Sequence, residues 1–221
     1  MYGIKKAFTL AEVLITLLII GVISSIVIPG IINNTNESEY NIGVKKIYAD
    51  LSTAVKMIQA NNGGSVAVGN GTSLADYIAF RDDFCSVMAC VKKDTGTNIF
   101  GPTIYKYYKG GNSLSQANNI DSSAILNNGT ILQFISSENC TQYGVNACGR
   151  IFIDINGQKG PNMWAKDMYV FYVVRKNGDG VYSIFPAGTQ NDGVYFPSTC
   201  SIGSGLGCAA VRLTNPENMP Y

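Results

Sequence analysis

Residues Phe8 to Ile32 form an apolar run broken only by a few Thr, Ser and Gly, one Glu and one Pro. A membrane-spanning helix needs about 20 such residues, so this stretch limits the chain to architectures with a helix that lipid or a protein partner must cover. A secretory signal would have a shorter core followed by a small-residue cleavage site. Here the run is longer, and helical periodicity continues beyond it. Lys5 and Lys6 precede the run, and the next basic residue is Lys45. The positive-inside rule therefore places the amino terminus in the cytoplasm and the remainder outside.

One carboxylate, Glu12, lies near the start of the run. An acid costs roughly +2.5 to +3.5 kcal/mol at the bilayer centre on insertion scales. Glu12 is nearer the interface and costs less, and an isolated Glu there would simply snorkel to water. Its neighbours point to something more specific.

The segment KKAFTLAEVLITLLIIGVISSIVIP resembles the prepilin signature of type IV pilins and type II secretion pseudopilins. The matching features are a short basic leader, Met1 to Ala7, then Phe8, Thr9 and Leu10, then Glu12, Val13, Leu14 and Ile15. The resemblance covers the first 32 residues. It implies that a membrane peptidase cuts between Ala7 and Phe8 and methylates the new amine on Phe8. The family usually has Gly where Ala7 stands, and Ala is the smallest side-chain replacement. Pro29 falls where many pilins have a proline. The resemblance further implies an assembly role for Glu12. Four helical residues climb about 6 Å, so parallel helices offset along their axes can set the Glu12 of one copy against the amine of the next. A mis-stacked neighbour would leave a buried charge alone.

Beyond the run, Pro29 removes one backbone donor and crowds the preceding turn, which predicts a kink or local melting. The helix should resume after NNTNESEY. Val44, Ile47, Tyr48, Leu51, Val55 and Ile58 recur at three- and four-residue steps and make one apolar stripe. Asn61-Asn62-Gly63-Gly64 is a stop signal. Residues 65–128 are weakly patterned, with LADYIAF as a short helix and TIYKYYKG as a short strand. Clearer strands follow at 130–135, 150–155, 168–175 and 181–185, rich in β-branched and aromatic residues and bounded by NNG, NGQKGPN and KNGDG. The expectation is an α+β, pilin-like fold. A long helix, half membrane and half amphipathic, packs on an antiparallel sheet of about four strands with long loops. The boundaries are 1–7 for the leader, 8–32 for the transmembrane or filament-core helix, 33–62 for the amphipathic half and 63–221 for the extracytoplasmic head.

Composition narrows the chemistry. Charged residues make up 14% of the chain and the net charge is +1, against a typical charged share of about 25%. That is too little positive charge for a nucleic-acid surface. There is no histidine, which excludes Ser-His-Asp, Cys-His and HExxH sites. The six cysteines, Cys85, Cys90, Cys140, Cys148, Cys200 and Cys208, fall into three local couples without CxxC spacing. An even count without histidine favours disulfides over metal. Fifteen pairings are open. Near neighbours meet first after export to an oxidising side, so Cys85–Cys90, Cys140–Cys148 and Cys200–Cys208 are expected. The last loop lies where many type IV pilins have a disulfide-bounded loop.

Two stretches suggest ligands. DINGQKGPNMWAKD begins like a calcium loop, with Asp154 and Asn156 at alternating positions. An EF-hand needs Gly at its sixth and Glu at its twelfth position, where this chain has Lys159 and Ala165. Asn-Gly and Gly-Pro form turns in any context, so a plain turn is favoured over metal. The resemblance keeps calcium open, because some major pseudopilins bind it in a loop near the sheet. YKYYKG interleaves aromatic and basic residues, a pattern that can stack nucleic acid, but a half-exposed strand accounts for it more simply.

The function that the resemblance implies is structural and non-enzymatic: that of a prepilin, first a single-pass precursor in the bacterial inner membrane, then a subunit of an extracytoplasmic or cell-surface filament. The implied partners are copies of itself and related pilins, the prepilin peptidase, and a pilus or secretion assembly platform. The alternative is a minor tip subunit acting as an adhesin or DNA-uptake module.

Overall fold

A computed structural model describes residues 8–68, 73–95, 105–111, 122–136, 140, 146–175, 180–189, 200 and 203–219, the side chains of 29–36 excepted. The leader 1–7, the KNGDG turn at 176–179 and the start of TIYKYYKG lie outside these residues.

Helix α1 runs from Leu10 to Asn61, 52 residues. The expected melting at Pro29 does not occur, and the helix continues through Gly30 and NNTNESEY. One proline removes a single N–H bond, and the turns on either side keep theirs. The helix ends where the Asn-Gly pattern predicts. The Asn62 N–H donates to Ile58 O (2.9 Å) and the Gly64 N–H to Gln59 O (2.7 Å). Gly63 and Gly64 supply the positive φ this closure requires, 63° and 94°.

Packing divides the chain between Glu39 and Tyr40. In the first unit, Leu10–Ile28 has a mean hydropathy of 2.6 and none of it is buried; it is long and apolar enough to cross a membrane. In the second unit the stripe of α1 turns inward. Val44, Leu51 and Val55 are fully buried, and Tyr40, Ile47, Ala54 and Ile58 nearly so.

Their partner is a six-stranded antiparallel meander, correcting the expected four strands. The strands are β1 (Cys90–Thr95), β2 (Ser122–Leu126), β3 (Ile131–Ser136), β4 (Ala147–Asp154), β5 (Met168–Arg175) and β6 (Tyr182–Pro186), each hydrogen-bonded to the next. The last four correspond to the expected strands. β1 is CVKKDT, an edge strand with three charged residues in a row, and β2 is SSAIL, which opens on two serines and an alanine. Neither contains an aromatic residue, and their few β-branched residues do not make a run that marks a strand by composition.

Both sheet faces are covered. On one, Leu132, Phe134, Ile151, Ile153, Phe171 and Val173 meet the α1 stripe and helix α2 (Leu74–Val87). On the other, Ile131, Phe152, Met168, Val170 and Tyr172 pack with Tyr105 and Trp164. Neighbouring residues of β5 thus serve opposite cores, which explains why MYVFYVV reads as a continuous apolar run. The expected short helix LADYIAF extends to Val87. It starts at a capping box in which Ser73 Oγ accepts from the Asp76 N–H (3.2 Å) and Asp76 Oδ2 accepts from the Ser73 N–H (3.2 Å). Its Phe80 lies over Gly149, where an added Cβ would come within 2.6 Å of the ring.

The described part of TIYKYYKG, residues 105–110, does not form the expected strand. Within its described part, Lys106 makes a single bridge to Met163, and Tyr105 and Tyr107 join the second core. A last short helix, α3 (Cys208–Thr214), is tied down by Arg212, whose side chain is fully buried.

Candidate functional site

At the start of α1, Phe8 is 86% exposed. Thr9 caps the helix. Its Oγ1 accepts from the Glu12 N–H (3.2 Å), while Glu12 Oε2 accepts from both the Thr9 N–H and the Thr9 hydroxyl (2.8 Å each). This is a capping box, and it places a carboxylate at the positive end of the helix dipole. Glu12 therefore has a local role before any neighbour is considered. The Thr-x-x-Glu spacing of Thr9 and Glu12 carried that signal in the sequence. Both bonds fall on Oε2, and Oε1 has no hydrogen-bond partner among the described residues. Ala7 lies outside the described residues, and the side chain of Pro29 does too.

The cysteines close three local disulfides, Cys85–Cys90, Cys140–Cys148 and Cys200–Cys208, with Cα separations of 5.4, 3.9 and 4.6 Å. The first joins the end of α2 to the start of β1. The second ties the loop after β3 to β4, and the third anchors the start of α3.

The β4–β5 connection gathers polar groups inside the second unit. Asp154, the last residue of β4, faces Met168, the first of β5, which places Asp167 beside it. Asp167 accepts from the N–H groups of Asn162 (2.8 Å) and Met163 (2.7 Å). Asp154 Oδ1 accepts from the Asn156 N–H (3.3 Å), and Asn156 Nδ2 donates to Gly160 O (3.3 Å). Gly157, at φ 69°, fits this turn because a Cβ there would lie 2.6 Å from Gly129 O.

Both acids are buried. Burial, reinforced by the Asp167 charge, pushes Asp154 up to about 9 against the pull of N–H donors from Asn156 and Gly157. Burial likewise raises Asp167 to about 6, partly offset by its N–H donors. The Tyr105 phenol, raised by burial and by both acids, closes the group. The sequence singled out Asp154 and Asn156. It missed Asp167, because the EF-hand template ends two residues earlier at Ala165, and it missed Tyr105, which arrives from a distant segment. Among the described residues no three His, Cys, Asp or Glu side chains gather. A calcium site, however, also takes amide and backbone oxygens, and the orphaned, buried Asp154 Oδ2 fits such a ligand.

A second network lies next to this turn. Arg212 donates to Tyr169 Oη (2.8 Å), to Ala165 O (2.8 Å) and to Asn41 Oδ1 (2.7 Å). It thereby joins α3, β5, the β4–β5 connection and the first turns of α1 within the second unit.

Comparison with models of known protein families, with curated proteins and with solved structures finds no match.

Proposed function

We propose that the chain is a structural subunit of a type IV pilus or type II secretion pseudopilus. It is inserted as a precursor, cut between Ala7 and Phe8, methylated on Phe8 and polymerised through α1. One observation carries this reading. The signature KKAFTLAE leads directly into a helix whose Leu10–Ile28 stretch is apolar and wholly unburied, while the second unit has its own covered sheet. The apolar stretch needs lipid first and copies of itself afterwards. The subunit performs no chemistry; it is the substrate of the processing peptidase.

The capping box supports the role given to Glu12. It holds the carboxylate at the helix start and leaves Oε1 to pair with the Phe8 amine of a neighbouring copy. Two charges removed from water need each other, so the pair selects one register of stacking.

Glu12→Gln tests this. Membrane insertion and the melting temperature of the second unit should be unchanged, with filament yield reduced at least tenfold in a strain lacking the wild-type subunit. Wild-type filament yield from that strain would remove the register argument.

A further inference from the structure

We propose that Asn128, at the tip of the β2–β3 turn, is a self-modifying site whose amide is converted to a carboxylate by attack of the Gly129 backbone nitrogen. Five Asn-Gly pairs occur in the chain, and three lie among the described residues: Asn62-Gly63, Asn128-Gly129 and Asn156-Gly157. In all three the glycine has no Cβ and leaves its nitrogen unshielded. They differ in where the fold holds the asparagine side chain.

In the β2–β3 turn, Asn128 Oδ1 accepts from the Thr130 N–H (3.1 Å). This Asx turn folds the side chain back over the Gly129 peptide and brings the amide carbon towards the Gly129 nitrogen. Oδ1 takes up negative charge when that nitrogen attacks, and a backbone donor is already aimed at it. A fixed donor at a developing oxyanion lowers the barrier, and holding the reacting groups together lowers it further. The Gly129 N–H donates to Leu126 O (2.9 Å). Its proton leaves when this one bond of an exposed turn opens, a local event far cheaper than unfolding. Asn127, Asn128 and Gly129 are exposed, and nothing lies within 4 Å of where a Gly129 Cβ would stand. Solvent can therefore take the proton and supply water.

The other two asparagines are held differently. Asn62 Nδ2 donates to Asp83 Oδ1 (3.2 Å), which draws its amide towards α2. Asn156 Nδ2 donates to Gly160 O (3.3 Å), and its Oδ1 is buried with no hydrogen-bond donor among the described residues. Negative charge developing on that oxygen would be unsupported.

The reaction balances with water as its sole co-reactant. The Gly129 nitrogen gives its proton to solvent and bonds to Asn128 Cγ. The Cγ–Nδ2 bond breaks, Nδ2 takes a proton and leaves as ammonia, and a cyclic imide remains. Water then opens the imide. Addition at Cγ gives aspartate; addition at the main-chain carbonyl carbon gives isoaspartate, with an extra methylene in the main chain. Either product adds a negative charge to the groove that Asn128 lines with Lys46, Asp50, Met57 and Met88. The Asn127 N–H holds this turn to Ala89 O (2.9 Å), so the isoaspartate form also disturbs the contact between the turn and the α2–β1 connection. The chain thus acquires a charge mark that grows with its age.

The test incubates the full-length chain in detergent, in water enriched in heavy oxygen at mildly alkaline pH, and follows the three peptides by mass spectrometry. Asn128 should take up heavy oxygen at least tenfold faster than Asn62 and Asn156, as a mixture of aspartate and isoaspartate. In the chain reduced and unfolded in guanidinium the three rates should agree within about threefold, because the turn no longer holds the side chains apart. Asn128→Gln, at an exposed position, should keep the wild-type melting temperature and lose the uptake at that position, with uptake at Asn62 and Asn156 unchanged. A folded chain in which Asn128 reacts no faster than the other two overturns the proposal. So does a preference for Asn128 that survives unfolding, which would assign it to local sequence and not to the turn.

Discussion

Helix α1 has one backbone geometry and two kinds of surface. From Leu10 to Ile28 it is apolar all round and nothing in the second unit's core is drawn from it. From Tyr40 to Ile58 it is apolar along one stripe, and that stripe is buried against the sheet and α2. The pattern of apolar residues around the axis, more than their number, decides whether a helix finds its partner within the chain. A stripe can be satisfied by one sheet face. An all-round apolar helix must be surrounded on every side.

The largest effect separating the two stretches should come from shortening one apolar side chain in each. Leu51→Ala removes a fully buried side chain and should cost the second unit about 2–5 kcal/mol. Leu18→Ala, at an exposed position, should leave the same transition within about 0.5 kcal/mol. Urea denaturation of the two variants in detergent measures the contrast. Equal losses would mean that the apolar stretch folds back onto the second unit.

A smaller effect sharpens the comparison. All three disulfides lie in the second unit. Replacing Cys200 and Cys208 together by Ser should lower its stability by about 2–3 kcal/mol, as expected for a short closed loop. Circular dichroism should find the helical content of the first unit unchanged.

The most gradual effect, and the smallest per step, is a pH slope confined to the second unit. Asp154 and Asp167 have folded-state values raised to about 9 and about 6, above the unfolded value near 3.9. The folded state therefore holds protons that the unfolded state releases. The stability they contribute is complete below about pH 4 and is lost as pH rises through the folded-state values. The loss between pH 6 and pH 9 should be on the order of 1 kcal/mol per pH unit. Asp154→Asn should flatten most of that slope, which urea midpoints at three pH values would show.

Legibility in the sequence followed the strength of the physical signal. The α1 stripe and strands β3 to β6 were readable because burial on a helix or sheet face imposes a period on apolar residues. β1 and β2 were not, since Lys92, Lys93 and Asp94 at an edge and Ser122 and Ser123 beside it take their conformation from pairing with neighbours. At the helix start, Phe8 and Glu12 stood out by their spacing, while the capping role of Thr9 was hidden behind the membrane reading of the same residues. At the β4–β5 connection, two members of the buried polar group, Asp154 and Asn156, were visible as an Asp-x-Asn turn. Asp167 becomes their neighbour only when β4 and β5 pair. Arg212 could not be recognised as buried from CAAVRLT, because its partners Asn41, Ala165 and Tyr169 come from three separate parts of the chain.

The proposed subunit role rests on the fate of the first seven residues. Intact-mass spectrometry of the protein extracted from membranes and from sheared filaments tests it most directly. The account predicts a chain lacking MYGIKKA, beginning at Phe8 and carrying one added methyl group. Filaments built from chains that still carry Met1 would contradict it.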